Sequence, residues 1–364
     1  MARLARIHRS FINPLTARSY PLRAWATPSR RACILAAAAA LLLTAGCGSS
    51  QSASASSHAS GAHHRTAKTG ARPAPPRPLT LGYHPLFSLP APLRDPASAD
   101  IGGGRFVLIG GLDAADTSSA EIDVASRHGL LHTATLPLAQ HDAQGAALAG
   151  KVYVFGGGSF SELDHIVSFD PVSNAVGGAG ALPRAQSDVA VAELGGTAYI
   201  VGGYDGTNWL NTILAWRPGS PVRVAGHLPV GLRYSSVSPV DGQLVIIGGS
   251  TPTGATDAIY RFDPRSGAVV RIGRLPHPIT HAGAATLGSY VYLVGGRGDN
   301  LDAQTANLLA IDPRTGAVRG AGRLPQPLSD PGVLAVGDAI IVAGGLTPSG
   351  AVEAGVGELA PSGG

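Results

Sequence analysis

The chain has 364 residues, 44% of them apolar and only 5% aromatic, so a sizeable core is available but must come mainly from Val, Ile, Leu and Ala. Its net charge of +4 conceals a split: residues 1–78 carry ten Arg, one Lys and no acidic residue, while sixteen basic and twenty-three acidic side chains lie beyond, a net of about −7. That split excludes nucleic acid as the partner of the folded part, and with Cys33 and Cys47 the only cysteines, disulfides, thiolate metal ligands and a cysteine nucleophile are excluded there too.

The first segment, residues 1–46, has a basic n-region with Arg3, Arg6, Arg9, Arg18, Arg23, Arg30 and Arg31, followed by the fourteen-residue apolar run Ala32 to Ala45. That run suits a signal h-region better than a bilayer span. Leu43-Thr44-Ala45-Gly46-Cys47 resembles the lipobox of bacterial lipoproteins, with Thr44 where Leu is usual. The resemblance implies lipidation of Cys47 and a location on the outer face of the cytoplasmic membrane, in the cell envelope. The alternative is an ordinary secretory signal in which Cys47 is incidental. Ser29-Arg30-Arg31-Ala32-Cys33 also resembles a twin-arginine signal, and Sec or twin-arginine export are both open. Residues 47–78, rich in Ser, Ala, His and Pro, cannot bury a core and are expected to form a disordered tether. Twenty-five Arg against Lys68 and Lys151 suggest a high-GC, actinobacterial source.

From residue 79 to 364 the chain repeats. Glycine doublets stand at Gly110-Gly111, Gly156-Gly157, Gly202-Gly203, Gly248-Gly249, Gly295-Gly296 and Gly344-Gly345, a period of 46 to 49 residues. Leu-Pro pairs at Leu89, Leu136, Leu182, Leu228, Leu275 and Leu324 keep the same beat, each about twenty residues ahead of its doublet. Such a period with strand content points to a propeller. The third repeat reads as strands over residues 187–194, 197–201, 210–216 and 221–226, and runs such as Tyr290-Val291-Tyr292-Leu293-Val294 support the strand reading. Asp170-Pro171, Asp263-Pro264 and Asp312-Pro313 place turn residues between the third and fourth strands. The last repeat has three strands of its own, and Leu79 to Leu89 precedes the first repeat without a blade. The N-terminal segment is therefore expected to complete the sixth blade and remove two free edges.

A hydrophobic strand ending in Gly-Gly, then a strand ending in an aromatic followed by Asp-Pro, as in Phe169-Asp170-Pro171 and Phe262-Asp263-Pro264, resembles the kelch repeat. The resemblance implies an all-β, six-bladed kelch-type β-propeller with four antiparallel strands per blade. One departure is that Val176, Val269 and Val318 stand where kelch repeats commonly carry Trp.

In such a meander the doublet loops and the Leu-Pro loops share one face. Five residues past each Leu-Pro stand Asp95, Asp142, Asp188, Tyr234, His281 and Asp330, expected to begin the innermost strands at the channel mouth. Arg94, His141 and Arg233 precede three of them. Four carboxylates on one ring would raise each other's pKa or recruit a hard cation; the competing reading is that each Asp fixes its own turn. The doublet loops add Tyr204, Asp205, Asn208 and Trp209 in the third blade and Arg297, Asp299 and Asn300 in the fifth, able to stack on a sugar, anchor a peptide, or pack a blade interface.

No nucleophile elbow, zinc motif or phosphate loop is present, and neither a cofactor nor a metal is expected. The reading is a lipid-anchored, monomeric, non-catalytic binding or scaffold module for a glycan, peptide or envelope protein. Kelch-type propellers also include copper galactose oxidases and sialic acid mutarotases. The oxidase chemistry resembles a Cys-Tyr crosslink and fails for want of a Cys; a sugar mutarotase or epimerase, using His281 or His141 with a nearby Asp, is the alternative. A pocket would gather His281, Tyr234, Arg233 and a carboxylate into contact, whereas a docking surface would leave them splayed.

Overall fold

The computed structural model describes residues 77–362; the signal segment, Cys47 and nearly all of the tether lie outside the described residues. Within them the fold is all-β: six four-stranded antiparallel sheets form the blades of a propeller. Blade 1 holds Ala97–Gly102, Arg105–Ile109, Ser119–Ser126 and Gly129–Gln140. Blade 2 follows with Gln144–Leu148, Lys151–Phe155, His165–Phe169 and Val176–Ala181, and blade 3 with Ala190–Glu193, Ala198–Val201, Thr212–Trp216 and Arg223–His227. Blade 4 is Ser236–Val240, Gln243–Ile247, Ala258–Asp263 and Ala268–Arg274; blade 5 is Gly283–Leu287, Tyr290–Val294, Asn307–Ile311 and Val318–Arg323. Among the described residues no helix is long and apolar enough to cross a membrane.

Blade 6 is composite. Gly332–Val336, Ala339–Ala343 and Gly355–Pro361 are completed by Leu81–Ser88, which pairs antiparallel with the third of them from Leu81 opposite Pro361 to Ser88 opposite Gly355. The expected closure by the N-terminal strand is therefore present.

The core is six interfaces rather than one. Alternating side chains of each sheet meet those of the next blade, so Val107, Ile109, Ile122 and Val124 of blade 1 pack on Val152, Val154 and Phe169 of blade 2. At the junction of blades 2 and 3 Trp216 meets Tyr153 and Phe155 edge-on, with centroids 4.8 and 5.5 Å apart. Where kelch repeats carry Trp, Val176, Val269 and Val318 pack at the margins of three such interfaces.

The doublets are straps between blades. The amide of each second glycine donates to a carbonyl in the loop leading into the next blade: Gly111 to Gln140, Gly157 to Gln186, Gly203 to Leu232, Gly249 to Ile279 and Gly296 to Leu328, at 2.8–2.9 Å. Gly345 donates to Leu93, which closes the ring from blade 6 to blade 1. Both glycines of a doublet have positive φ, 63° and 97° at Gly110 and Gly111. A Cβ on Gly110 would stand 2.6 Å from the Gln140 carbonyl oxygen, so glycine is demanded twice over. The Leu of each Leu-Pro pair is buried at these junctions.

The hairpins between third and fourth strands carry Asx turns. Asp170 Oδ1 accepts from the amides of Val172 and Ser173, Asp263 Oδ1 from Arg265, and Asp312 Oδ1 from Arg314. These backbone hydrogen bonds hold Asp170 and Asp263 below the usual carboxylate range.

Candidate functional site at the channel mouth

The six counted positions do not begin strands. Each stands two residues ahead of its innermost strand, with φ between 49° and 58° at Asp95, Asp142, Asp188, Tyr234, His281 and Asp330. Asp tolerates the left-handed region better than most residues, but Tyr and His occupy it here as well. The cause is an arc of five backbone hydrogen bonds that runs round the ring from Asp142 to Asp95. The amide of Asp188 donates to the Asp142 carbonyl, Tyr234 to Asp188, His281 to Tyr234, Asp330 to His281, and Asp95 to Asp330, at 2.7–3.3 Å. Turning the chain at these residues stitches neighbouring blades together and sends the side chains into the channel, where all six line a cavity of about 440 Å³.

A second tier lies above. Arg94, His141, Ser187, Arg233, Thr280 and Ser329 each form a short antiparallel bridge to the residue after the doublet of their own blade: Leu112, Gly158, Tyr204, Ser250, Arg297 and Leu346. The doublet loops and the mouth are thereby one construction.

The side chains form a continuous polar network. Arg233 Nε donates to Asp188 Oδ2. Its guanidinium lies over Tyr204 at 4.1 Å and near Trp209 at 5.2 Å, and those rings meet edge-on at 5.3 Å. Tyr234 donates its hydroxyl to Asp142 Oδ2 at 3.2 Å and stacks on His281 with centroids 3.8 Å apart. His281 Nε2 lies 3.2 Å from Arg297 Nη2 and Nδ1 lies 3.0 Å from Thr280 Oγ1. Because a guanidinium only donates, Nε2 carries a lone pair, the ring proton is on Nδ1, and the imidazole is neutral. Asp330 Oδ1, 3.9 Å from Nε2, is therefore a neighbour rather than an ion-pair partner. Asp330 instead accepts from Ser329 Oγ at 2.6 Å.

Burial and crowding of like charges shift these groups together. Asp95 is pushed well above the usual carboxylate range by burial, then by its hydrogen bond to Asp142 and the charges of Asp142, Asp330 and Asp188. Asp188 is raised to about 7 by burial and the Asp142 charge, against the pull of Arg233. Asp330 is raised to about 6 by burial, with Ser329, Arg297 and Arg94 acting the other way. Burial, then Arg297, Arg233 and Arg94, hold His281 well below its ordinary value. Burial and the nearby carboxylates raise Tyr234. The mouth thus holds carboxyl groups able to donate a proton beside a neutral imidazole whose Nε2 lone pair faces Arg297.

Other expected site residues are placed differently. Arg94 pairs with Asp116 at 2.6 Å, and His141 Nδ1 meets Ser118 Oγ at 2.8 Å while its Nε2 lies 3.7 Å from Asp142. Asp205 forms the Asx turn of its own loop with Thr207 and Asn208 and pairs with Arg184. Asp299 leaves the mouth to accept from the amide of Ala255 in a two-stranded hairpin, Ser250–Thr251 with Gly254–Ala255, in the doublet loop of blade 4, and Asn300 is exposed beside it. Asp188 turns to Arg233 and Asp330 to Ser329 while Asp95 and Asp142 hydrogen-bond each other, and among the described residues no group of three His, Cys, Asp or Glu is set to hold a metal ion. Asp116 and Ser118 were not legible as site residues, because the doublet loops differ in sequence from blade to blade and hold no repeating position for them.

No protein-family model matches the chain, and no curated protein matches it. Among solved structures it is similar to that of YjhT, with a TM-score of 0.65 and 16% identity over 74% of this chain and 95% of that one. At that identity the likeness shows the β-propeller fold.

Proposed function

We propose that the chain is a kelch-type propeller, exported and lipid-anchored at Cys47, whose channel mouth binds a small polar ligand, a glycan or a short peptide, on the doublet-loop face. The observation that carries this reading is the contact network of Arg233, Asp188, Tyr234, His281 and Asp142 over a cavity of about 440 Å³. Residues of a flat docking surface would be splayed. Here the arc of backbone hydrogen bonds fixes them before any ligand arrives, which spares a ligand the ordering cost. Their donors and acceptors suit hydroxyl and carbonyl groups.

Calorimetric titration with soluble glycans and cell-wall peptides tests it. A ligand should bind the parent chain and lose about ten- to a hundredfold in Arg233→Ala, since a hydrogen bond to a charged group is worth about 1.5–3 kcal/mol. Equal affinity in parent and variant would remove the site from the mouth. Acylation at Cys47, read by mass on the chain isolated from its own cells, tests the anchor separately.

The neutral His281 beside proton-bearing carboxyls favours one second reading, sugar mutarotation. His281 would take the proton of the anomeric hydroxyl while a carboxyl group protonates the ring oxygen, so that the ring C–O bond breaks to the open-chain carbonyl form and recloses on either face. Exchange spectroscopy on free sugars, with His281→Ala as comparison, would detect it; unchanged interconversion in the presence of the parent chain rejects it.

A further inference from the structure

The fourth strands form the outer rim of the propeller, and their charges are distributed unequally. Those of blades 1, 2 and 6, Gly129–Gln140, Val176–Ala181 and Leu81–Ser88, contain no Asp, Glu, Lys or Arg. Those of blades 3, 4 and 5 contain Arg223, Arg271, Arg274, Arg319 and Arg323, all exposed, and no acid. The three blades are consecutive, so five guanidinium groups occupy one side of a domain whose overall charge is negative.

Little neutralises them. Arg271 and Arg274 share one carboxylate, Asp257, at 2.8 and 3.7 Å. Arg323 bonds the neutral Asn307 Oδ1 at 2.9 Å. Arg223 and Arg319 make no ion pair among the described residues. Beside two of these arginines stand Val224 and Val270, 53% and 51% exposed. Blade 1 also exposes Leu131 and Leu138, but without a cation on its strand. Apolar side chains interleaved with guanidinium groups, in a patch centred on blade 4, suit the headgroup layer of an anionic bilayer: the arginines meet phosphates and the valines reach the acyl boundary.

We infer that the outer rim of blades 3 to 5 docks on an anionic phospholipid surface, laying the propeller on its side against the membrane. The inference rests on the export reading only in that a bilayer must be at hand.

Flotation of the full chain carrying Cys47→Ser with phosphatidylcholine vesicles, with and without about one third phosphatidylglycerol, tests it without the anchor. All variants keep the basic N-terminal segment, so only the rim differs. Each arginine near an anionic surface counts for about fivefold in partitioning, so the triple variant Arg223→Gln, Arg271→Gln, Arg319→Gln should lose about a hundredfold on the phosphatidylglycerol vesicles. Arg105→Gln, Lys151→Gln, Arg184→Gln removes the same charge from blades 1 and 2 and should stay within about threefold of the parent. If the triple rim variant does not share the parent's thermal midpoint, Arg319→Gln alone should show the fivefold loss. Equal losses in both triple variants, no preference of the parent for phosphatidylglycerol, or equally strong rim-dependent binding to soluble polyphosphate would each overturn the inference. An unacylated Cys47 in the native chain would leave it standing and overturn the anchor reading alone.

Discussion

Asp188 is 3% exposed and relies on Arg233 for its charge, while Arg233 spends its remaining surface on Tyr204 and Trp209. Removing the arginine strands a buried carboxylate, so Arg233→Ala should cost about 3 kcal/mol of stability at pH 8, measured by urea unfolding. At pH 5 Asp188 is protonated, since burial and Asp142 raise it to about 7, and the cost should fall well below that. The same shifts set the pH dependence of the parent chain. Native Asp188, raised to about 7, Asp330, raised to about 6, and Asp123 in the blade 1 strand Ser119–Ser126, raised to about 6 by burial and the Glu121 charge, keep protons that the unfolded chain has released. Their stabilisation is complete below the unfolded value of about 4 and is lost as pH rises through the native values. His281 works the other way: its native proton is gone while the unfolded chain still holds one below about 6.5. With more carboxyls than imidazoles involved, the urea midpoint should decline from pH 5 to pH 8, and Asp188→Asn should flatten the decline. A midpoint that rises over that range would contradict the assigned shifts.

The elements carry a different lesson, about which features of a strand leave a mark on the residues that build it. The doublet and the Leu-Pro pair were legible because each blade meets the same backbone demand, two positive φ values beneath a neighbour's carbonyl and a buried leucine at the junction. Gly110→Ala, with its Cβ 2.6 Å from the Gln140 oxygen, should therefore destabilise by more than about 2 kcal/mol. Gly150→Ala, also at positive φ but with nothing within 4 Å, should cost only about 1 kcal/mol, so thermal denaturation of the pair separates crowding from torsional strain. The mouth positions could be counted, yet the strands proved to start two residues later, because the hydrogen-bonded arc claims those residues first. Partnerships such as Tyr234 with Asp142, which reaches past Asp188 to the next position but one of the ring, leave no periodic trace. Invisible too were the register shifts between third and fourth strands, or their counterparts, in all six blades. A bulge twists an edge away from foreign strands without requiring a particular residue type.

At the scale of the whole molecule, stability depends on closing the ring of blades. Leu81 is 2% exposed and packs with Tyr292, Leu308, Ile340 and Leu359 of blades 5 and 6, so the first strand belongs to the same core as the last repeat. Deleting residues 79–88 should expose the edge of Gly355–Pro361, broaden the thermal transition and promote self-association, visible by light scattering; a peptide of residues 79–89 added in trans should reverse both changes. An unaltered, monomeric transition would mean that this strand is not the closure. The composite blade also bears on the order of synthesis. Leu81–Ser88 leaves the ribosome before any blade exists, and the strand it pairs with is among the last to be made. Until then those eight residues, apolar and aromatic side chains among them, have no strand to pair with. Closure is therefore among the last events of folding, and in the meantime the unpaired strand is a place for a chaperone to hold.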